Sequence, residues 1–316
     1  MNGRIRRIVT LAAASTLALG ASIAVAQNWF PSKYGASDEI GAANNLSPQK
    51  AQEAAKLVRS GKTYSLGMTV GKSTPAYPPR EVGVTVVQPG QVAGITLGGT
   101  KTSYNDDIIH GWVGVGTQID GLGHIGIDNV YYNGHKAADF AGISGLKKLG
   151  TEKIPPMATR GVLLDMTAIF GTDMVKEGTA FNRKEIDEAM RRQNVRIGRG
   201  DVVIFHTGWL ALVGKDNKRY GDGEPGLGRE GAQYLADLGV VAVGADTWGL
   251  EAVPFEQGAG VFEVHQILLA RNGVYILENI VTTELVKDKA WEFMFVLGQP
   301  KYEGSVQAMI NPVAIR

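Results

Sequence analysis

The chain has 316 residues, enough for a sizeable hydrophobic core, and it contains no cysteine. Disulfide bonds and thiolate ligands are therefore excluded, so a bound metal must be held by histidine, carboxylate or amide groups. With 32 basic against 31 acidic residues the charge is nearly balanced, which argues against nucleic acid as a partner.

The first 26 residues have the pattern of a secretory signal peptide. Arginines at positions 4, 6 and 7 precede an apolar stretch from Ile8 to Val25, and Ala24 and Ala26 form a small-x-small cleavage pattern. We expect cleavage after Ala26 and a periplasmic or secreted protein with no stable membrane association. An uncleaved membrane anchor is the alternative, because the apolar stretch is near the lower length limit for a bilayer span.

The mature chain, residues 27–316, is predicted to form a single domain. A strand is expected over residues 64–70, and residues 71–104 have the short alternations of antiparallel strands and loops. Residues 105–136 are rich in Asp, His and Gly, and we interpret this stretch as loops that hold the chemistry.

Beyond residue 160, apolar strands alternate with amphipathic helices. Strands are predicted over residues 161–166, 201–206, 240–244 and 274–280. Helices are predicted after the N-caps Ser47 and Asn182, and over residues 229–238 and 264–270. This alternation indicates an α/β fold with a partly parallel sheet covered by helices.

The densest group of candidate functional side chains lies in residues 110–124. Gln118 and Asp120 are two positions apart, so in extended backbone both side chains point to the same side and can face one ion. His124 can converge on them if the Gly121–Gly123 segment folds back as a turn. The alternative interpretation is structural, because Asp-Gly is a common turn pair and a histidine between glycines can be a satisfied structural residue.

Two later residues are further candidates. His265 lies on a predicted helix, and Glu278 follows an apolar strand, where a buried carboxylate needs a proton, a partner or a metal. A structural alternative stands for each: His265 can cover a helix end, and Glu278 can pair with an arginine.

The segment around Asp120 resembles the signature of the kynurenine formamidase-like cyclase family, His-x-Gly-Thr-His-x-Asp-x-Pro-x-His. Gly116, Thr117, Asp120 and His124 fall in register with it. Four other segments agree with the family in order and spacing, so the resemblance covers most of the mature chain: residues 35–44, 200–209, 245–247 and 265–279.

The resemblance implies a swivelling β/β/α fold with a mixed sheet, a divalent metal (zinc or manganese), and a homodimer or homotetramer. It implies hydrolysis of an amide, a lactone or a related cyclic carbonyl compound. Asp120, His265 and Glu278 match metal-ligand positions of the family, and His124 matches its general acid/base.

The chain departs from the signature at three positions. The first family histidine is Gly114, the second is Gln118, and the usual proline is Leu122. Loss of two imidazoles argues against a two-metal site and leaves an oxygen-rich set to which Gln118 contributes an amide. Because such sets favour harder ions, manganese or magnesium over zinc, we expect one divalent metal ion. His110 is a candidate replacement for a lost ligand.

The expected mechanism uses the metal to polarise a carbonyl and to lower the pKa of a water molecule, while His124 takes and returns a proton. Four residues are candidates for binding the small-molecule substrate: His110, Trp112, His206 and Asp246. Structural roles are the alternative for these residues, because tryptophans more often pack and His206 and Asp246 follow buried strands.

Two other functions remain open. A periplasmic binding protein that lost catalysis with Gly114 and Gln118 is the alternative, although retention of Asp120 and His124 argues against it. A cyclase or dehydratase using the same metal and base is the other. The export signal argues against N-formylkynurenine as the substrate, because tryptophan breakdown normally runs inside cells.

Overall fold

The computed structural model of the protein describes residues 29–87 and 96–316. The signal-peptide prediction for residues 1–26 lies outside this part of the chain. The described strands are β1 Thr63–Ser65, β2 Val82–Val87, β3 Asp106–Gly111, β4 Gln118–Asp120, β5 Val130–Tyr131, β6 His135–Lys136, β7 Ala141–Gly142, β8 Gly145–Leu146, β9 Met157–Asp165, β10 Ala180–Phe181, β11 Val202–His206, β12 Gly226–Leu227, β13 Ala242–Ala245, β14 Tyr275–Glu278, β15 Glu292–Leu297, β16 Gln307–Met309 and β17 Val313–Ile315.

The helices are mostly short. They are α1 Pro48–Ala55, α2 Ala137–Phe140, α3 Met166–Phe170, α4 Arg183–Gln193, α5 Asn217–Asp222, α6 Arg229–Asp237, α7 Glu263–His265 and α8 Thr283–Lys287. A π-helix over Gln266–Arg271 continues α7. Within the described residues, no helix has both the length and the apolar character needed to cross a membrane.

The main sheet of the described chain has nine strands in the order β1-β17-β15-β9-β11-β13-β14-β4-β16. The four central strands, β9, β11, β13 and β14, are parallel, and the outer pairings are antiparallel. The predicted α/β class with a mixed sheet and covering helices is therefore confirmed.

The parallel centre explains the long apolar runs of the second half of the chain. Val202, Val203, Ile204 and Phe205 of β11 are all fully buried between β9 and β13. A strand covered on both faces requires such a run, and each of these side chains stabilises the fold by about 1.5–3 kcal/mol on burial.

The predicted helix start at Asn182 is confirmed in detail. Asn182 and Glu185 form a reciprocal capping box at the first turn of α4. Ile186 and Ala189 then face the core, and the helix packs against β9. Local capping and the apolar spacing agree here, which is why the sequence alone located this helix.

The stretch interpreted as loops contains strands that the sequence pattern did not reveal. β3 pairs with β2 as an antiparallel hairpin whose side chains are mostly exposed, and β4 is a buried strand of the main sheet. Apolar residues of this hairpin face solvent: Val84, Val86, Ile108 and Ile109.

Candidate functional site

The site is built on β4, which lies between β14 and β16. In this register Gln118 lies opposite Glu278, and Asp120 lies opposite Gln307. Both pairs are hydrogen-bonded: the Gln118 amide nitrogen donates to Glu278 Oε2, and the Gln307 amide nitrogen donates to Asp120 Oδ1 over 2.7 Å. Each carboxylate is therefore oriented by an amide on a neighbouring strand.

Asp120, His265 and Glu278 form a buried cluster. One ligand atom from each of the three lies within 4.8 Å of the others. His265 Nε2 lies 3.3 Å from Glu278 Oε1 and 3.7 Å from Asp120 Oδ2. The sequence placed these residues on three separate segments, and the sheet brings them to one point.

A second carboxylate holds the His265 ring. Glu251 Oε1 lies 2.6 Å from His265 Nδ1 and also accepts the His265 backbone N–H. With Nδ1 engaged by Glu251, Nε2 is the nitrogen directed at Asp120 and Glu278. A carboxylate behind a histidine in this way sets the tautomer and strengthens the ring as a metal ligand.

The cluster holds protons strongly when only protein groups are present. Burial and the nearby Asp120 carboxylate raise the pKa of Glu278 to about 7. Burial would lower the pKa of His265, but its contacts with Glu251 and Glu278 outweigh burial and raise that pKa to about 10. A cation must displace these protons, so its affinity is expected to increase with pH.

The donor set fits one divalent cation. Asp120 Oδ2 is buried without a hydrogen-bond partner in the described residues, although it faces the other two ligand atoms. Two carboxylates and one neutral imidazole suit manganese or zinc. A buried carboxylate oxygen without a partner is costly, and a bound cation would remove this cost.

The structure gives a steric reason for the glycine at position 114. A Cβ atom on Gly114 would lie 2.4 Å from Gln307 Oε1, so the Gln307 amide fills the space that an imidazole would enter. Gln118 was predicted to offer its amide oxygen to the metal. In the structure its amide nitrogen faces Glu278. In this arrangement Gln118 orients a ligand, and its role as a ligand itself remains a prediction.

His124 lies beside the cluster as expected. Its backbone N–H donates to Gly121 O, so the glycine segment does fold back as a turn. His124 Nε2 lies 3.9 Å from Asp120 Oδ2. Burial lowers the pKa of His124, and Asp120 only partly offsets this effect, so the imidazole is neutral at neutral pH and able to accept a proton.

A cavity of ≈ 230 Å³ opens onto His124, His265 and Glu278. Its walls include three aromatic rings. Tyr77 lies 5.8 Å from Trp248 and 6.1 Å from Phe262 between ring centroids, and Phe262 lies 5.3 Å from the His265 ring. The cavity combines an apolar wall with a polar floor, as small-molecule sites usually do.

His206 and Asp246 lie together at the ends of β11 and β13, but they do not line this cavity. His206 Nδ1 contacts Thr282 Oγ1 at 2.7 Å and Asp246 Oδ2 at 3.3 Å. Asp246 also accepts the backbone N–H groups of Thr207 and Gly208. These contacts hold the strand ends together, and a role of His206 and Asp246 in binding the substrate remains a prediction.

His110 and Trp112 are also outside the cavity. His110 lies on the exposed β2–β3 hairpin, where its ring covers the opposite residue Gly83. Trp112 follows the hairpin with 45% of its surface exposed. Neither reaches the cluster, so the structure does not support His110 as a replacement ligand.

Several site residues were missed by sequence reasoning, among them Glu251, Gln307 and Arg80. Glu251 lies between apolar neighbours, the same signal that identified Glu278, and it was detectable. Gln307 also lies between apolar residues, but it is a neutral amide and so gives no charge signal, and Arg80 follows a Pro-Pro pair in a polar loop. Only the pairing of β16 and the path of that loop bring them to the site.

Glu224 supports one wall of the cavity. It is fully buried, its Oε2 accepts the backbone N–H of Trp248 over 2.6 Å, and its Oε1 has no partner in the described residues. Burial raises the pKa of Glu224 well above its usual value, and the Glu278 charge adds to this effect. The protonated form of this carboxyl is therefore favoured in the folded protein relative to the unfolded chain.

Glu224→Gln is expected to stabilise the protein increasingly as pH rises. Above the ordinary pKa of glutamate the unfolded wild type loses a proton that the folded wild type keeps, so wild-type stability falls with pH. The difference in free energy of unfolding should grow by about 1.4 kcal/mol per pH unit until the folded-state pKa is reached. Urea unfolding of metal-free protein between about pH 5 and 8 measures this slope.

Glu230→Gln is the control for charge removal, because Glu230 is an exposed carboxylate on α6. A Glu224→Gln curve parallel to that of the wild type at every pH would show that Glu224 is ionised in the fold.

Comparison with known proteins identifies a matching sequence family and several solved structures with a similar fold. Residues 64–252 match the sequence profile of a family described as "Putative cyclase". A crystal structure of a novel cyclase is 28% identical, with a TM-score of 0.82, covering 90% of this chain and 98% of that one. None of the curated proteins compared with the chain matches it.

Two further structures share the fold at lower identity. Isatin hydrolase A from Ralstonia solanacearum is 18% identical, with a TM-score of 0.61, covering 86% of this chain and 98% of its own. A potential metal-dependent hydrolase with cyclase activity is 19% identical, with a TM-score of 0.52, covering 80% of this chain and 98% of that one.

Proposed function

Because the chain belongs to the cyclase family, we propose that it is a metal-dependent hydrolase that cleaves an amide, lactone or related cyclic carbonyl bond of a small molecule. The family and its structural neighbours support an enzyme of hydrolase type. The observation that carries the finer proposal is the buried Asp120–His265–Glu278 cluster, open to a cavity and flanked by a neutral His124.

Asp120, His265 and Glu278 would hold one divalent cation, manganese or zinc. When bound, the cation supplies Lewis-acid polarisation of a carbonyl group and lowers the pKa of water. Gln307 and Gln118 keep the two carboxylates oriented, and Glu251 keeps His265 Nε2 directed at them.

His124 is the proposed proton carrier. Its Nε2 accepts a proton from the attacking water and returns it to the leaving nitrogen or oxygen of the substrate. The lowered pKa keeps this nitrogen free at neutral pH, and the nearby Asp120 carboxylate stabilises the imidazolium that forms. The apolar walls limit the access of other water molecules.

The cyclic carbonyl class has support of its own. Isatin hydrolases are among the structures that share this fold, and isatin is a planar bicyclic lactam. The aromatic rings of Tyr77, Trp248 and Phe262 provide a wall suited to a planar ring.

The first experiment is the metal content of the purified mature protein by mass spectrometry, without added metal. We expect about one manganese or zinc ion per chain, followed by turnover of formamides, lactones or cyclic imides with that metal. The product should gain the mass of one water. Product of unchanged mass or less one water would instead indicate a cyclase or dehydratase.

A protein with no metal and no thermal shift on adding metals would contradict the hydrolase proposal and favour a binding protein.

We also propose that the protein is exported and acts as a homodimer or homotetramer. The signal-peptide pattern of residues 1–26 supports export, and the apolar side chains exposed on the β2–β3 hairpin support self-association. Mass spectrometry of protein from the periplasmic or secreted fraction should find a chain that begins at Gln27. Light scattering of the purified protein measures the oligomeric state.

A further inference from the structure

The active-site cavity is lined by one arginine side chain, Arg80, that has no role in the proposed hydrolysis. The Arg80 side chain lines the cavity together with His124 and Glu278. Its Nη1 donates to the Gly114 carbonyl oxygen over 3.3 Å, and it forms no ion pair with a carboxylate in residues 29–87 and 96–316. One long hydrogen bond leaves most of the guanidinium donors available.

The other charged groups at the cavity floor already contact one another. His265 contacts Glu251 and Glu278, and oxygens of Asp120 and Glu278 face the proposed metal position. Arg80 has no such partner among the described residues. A guanidinium that lines a cavity without a carboxylate partner favours a planar anion such as a carboxylate.

The aromatic wall defines the rest of the ligand. Tyr77 and Trp248 lie 5.8 Å apart, with their planes tilted by 34°, and Arg80 lies only three residues after Tyr77. The cavity of ≈ 230 Å³ is somewhat larger than the roughly 150 Å³ that accommodates benzene. It suits one planar ring system with a small substituent.

We propose that Arg80 forms an anion subsite and that the natural substrate is a planar ring compound carrying a carboxylate apart from the bond that is cleaved. This rests on the proposed hydrolase function. In this arrangement the aromatic wall holds the ring, Arg80 holds the carboxylate, and the reacting carbonyl faces the Asp120–His265–Glu278 cluster.

A binding experiment tests the subsite without turnover. Benzoate and benzamide have the same ring and nearly the same shape, but only benzoate is charged. Titration calorimetry on the metal-loaded wild type should give benzoate an affinity about 10–100-fold higher than that of benzamide, as expected for a charge-assisted hydrogen bond in place of a neutral one.

Arg80→Met should remove this preference, and Arg80→Lys should retain part of it. Equal binding of benzoate and benzamide by the wild type would overturn the proposal, and so would a preference that survives in Arg80→Met. If the methionine variant does not fold, the wild-type comparison can still overturn the proposal, and Arg80→Lys reports whether the preference depends on this side chain.

Turnover separates this inference from the hydrolase proposal. The probes are isatin and a ring-carboxylated isatin. Arg80→Met should lower the kcat/KM of the carboxylated compound, relative to that of isatin, by about 10–100-fold. An equal loss of kcat/KM on both probes would place Arg80 at the reacting oxygen and overturn the proposed anion subsite. Arg80-dependent benzoate binding without hydrolysis of any probe would support the subsite and contradict the hydrolase.

Discussion

Asp120→Asn is expected to abolish metal binding and turnover while leaving the fold intact. The substitution keeps the shape of the side chain and an acceptor for Gln307, but it removes the charge at the oxygen that faces His265 and Glu278. Loss of a ligand should weaken metal binding by more than the roughly 10–100-fold that loss of an outer partner costs.

Thermal and urea unfolding with and without metal measure this effect. At a metal concentration about 100 times the wild-type Kd, the wild type should gain about 2.7 kcal/mol of stability and the variant less than about 0.4 kcal/mol. Without metal the variant should be at least as stable as the wild type, because it no longer buries an unpaired carboxylate oxygen beside Glu278.

Asp107→Asn is the matched control, since Asp107 is an exposed carboxylate on β3. It should gain stability from metal as the wild type does. An Asp120→Asn variant that binds metal with wild-type affinity would remove Asp120 from the ligand set.

His124→Ala is expected to lose turnover and to keep the metal. His124 carries the proton in the proposed reaction, and the loss of a general acid/base usually costs about 10²–10⁴-fold in rate. Its Nε2 lies 3.9 Å from Asp120 Oδ2, beyond hydrogen-bond distance. The measurement is kcat on the substrate that the screen identifies, together with metal content by mass spectrometry.

His110→Ala is the control for removing a histidine, because His110 lies on the exposed hairpin outside the cavity. It should have wild-type kcat and metal content. Metal loss from His124→Ala equal to that from Asp120→Asn would make His124 a ligand and leave the reaction without an assigned base.

Several elements were predictable because their causes are local. The start of α4 depends on a cap and a glutamate three residues apart, and β11 depends on an unbroken apolar run. The π-helix that continues α7 was not predictable from propensity, although its residues were assigned to a helix. The β2–β3 hairpin was only partly recognised, because its exposed strands lack the burial alternation that identifies a half-buried strand.

Some residues of the candidate site were likewise predictable from the sequence, and others were not. Asp120, His124, His265 and Glu278 were found from a motif and from polar residues beside apolar runs, and the structure places them together. His206 and Asp246 carry equally polar signals at strand ends, yet they bind each other and nearby backbone. A polar residue after a buried strand therefore indicates where the strand ends. It does not indicate whether that strand contributes to the site.

The sequence by itself determined that no thiolate can bind the metal, that Gln118 and Asp120 share one face of a strand, and that the fold is α/β. These properties depend on composition and on backbone periodicity, which act over a few residues. The tertiary structure alone decided that Gln307 orients Asp120, that Glu251 holds His265, and that Arg80 enters the cavity. Those contacts arise because the packing of the sheet sets which strands and loops become neighbours, and residues far apart in the chain meet only after that packing has formed.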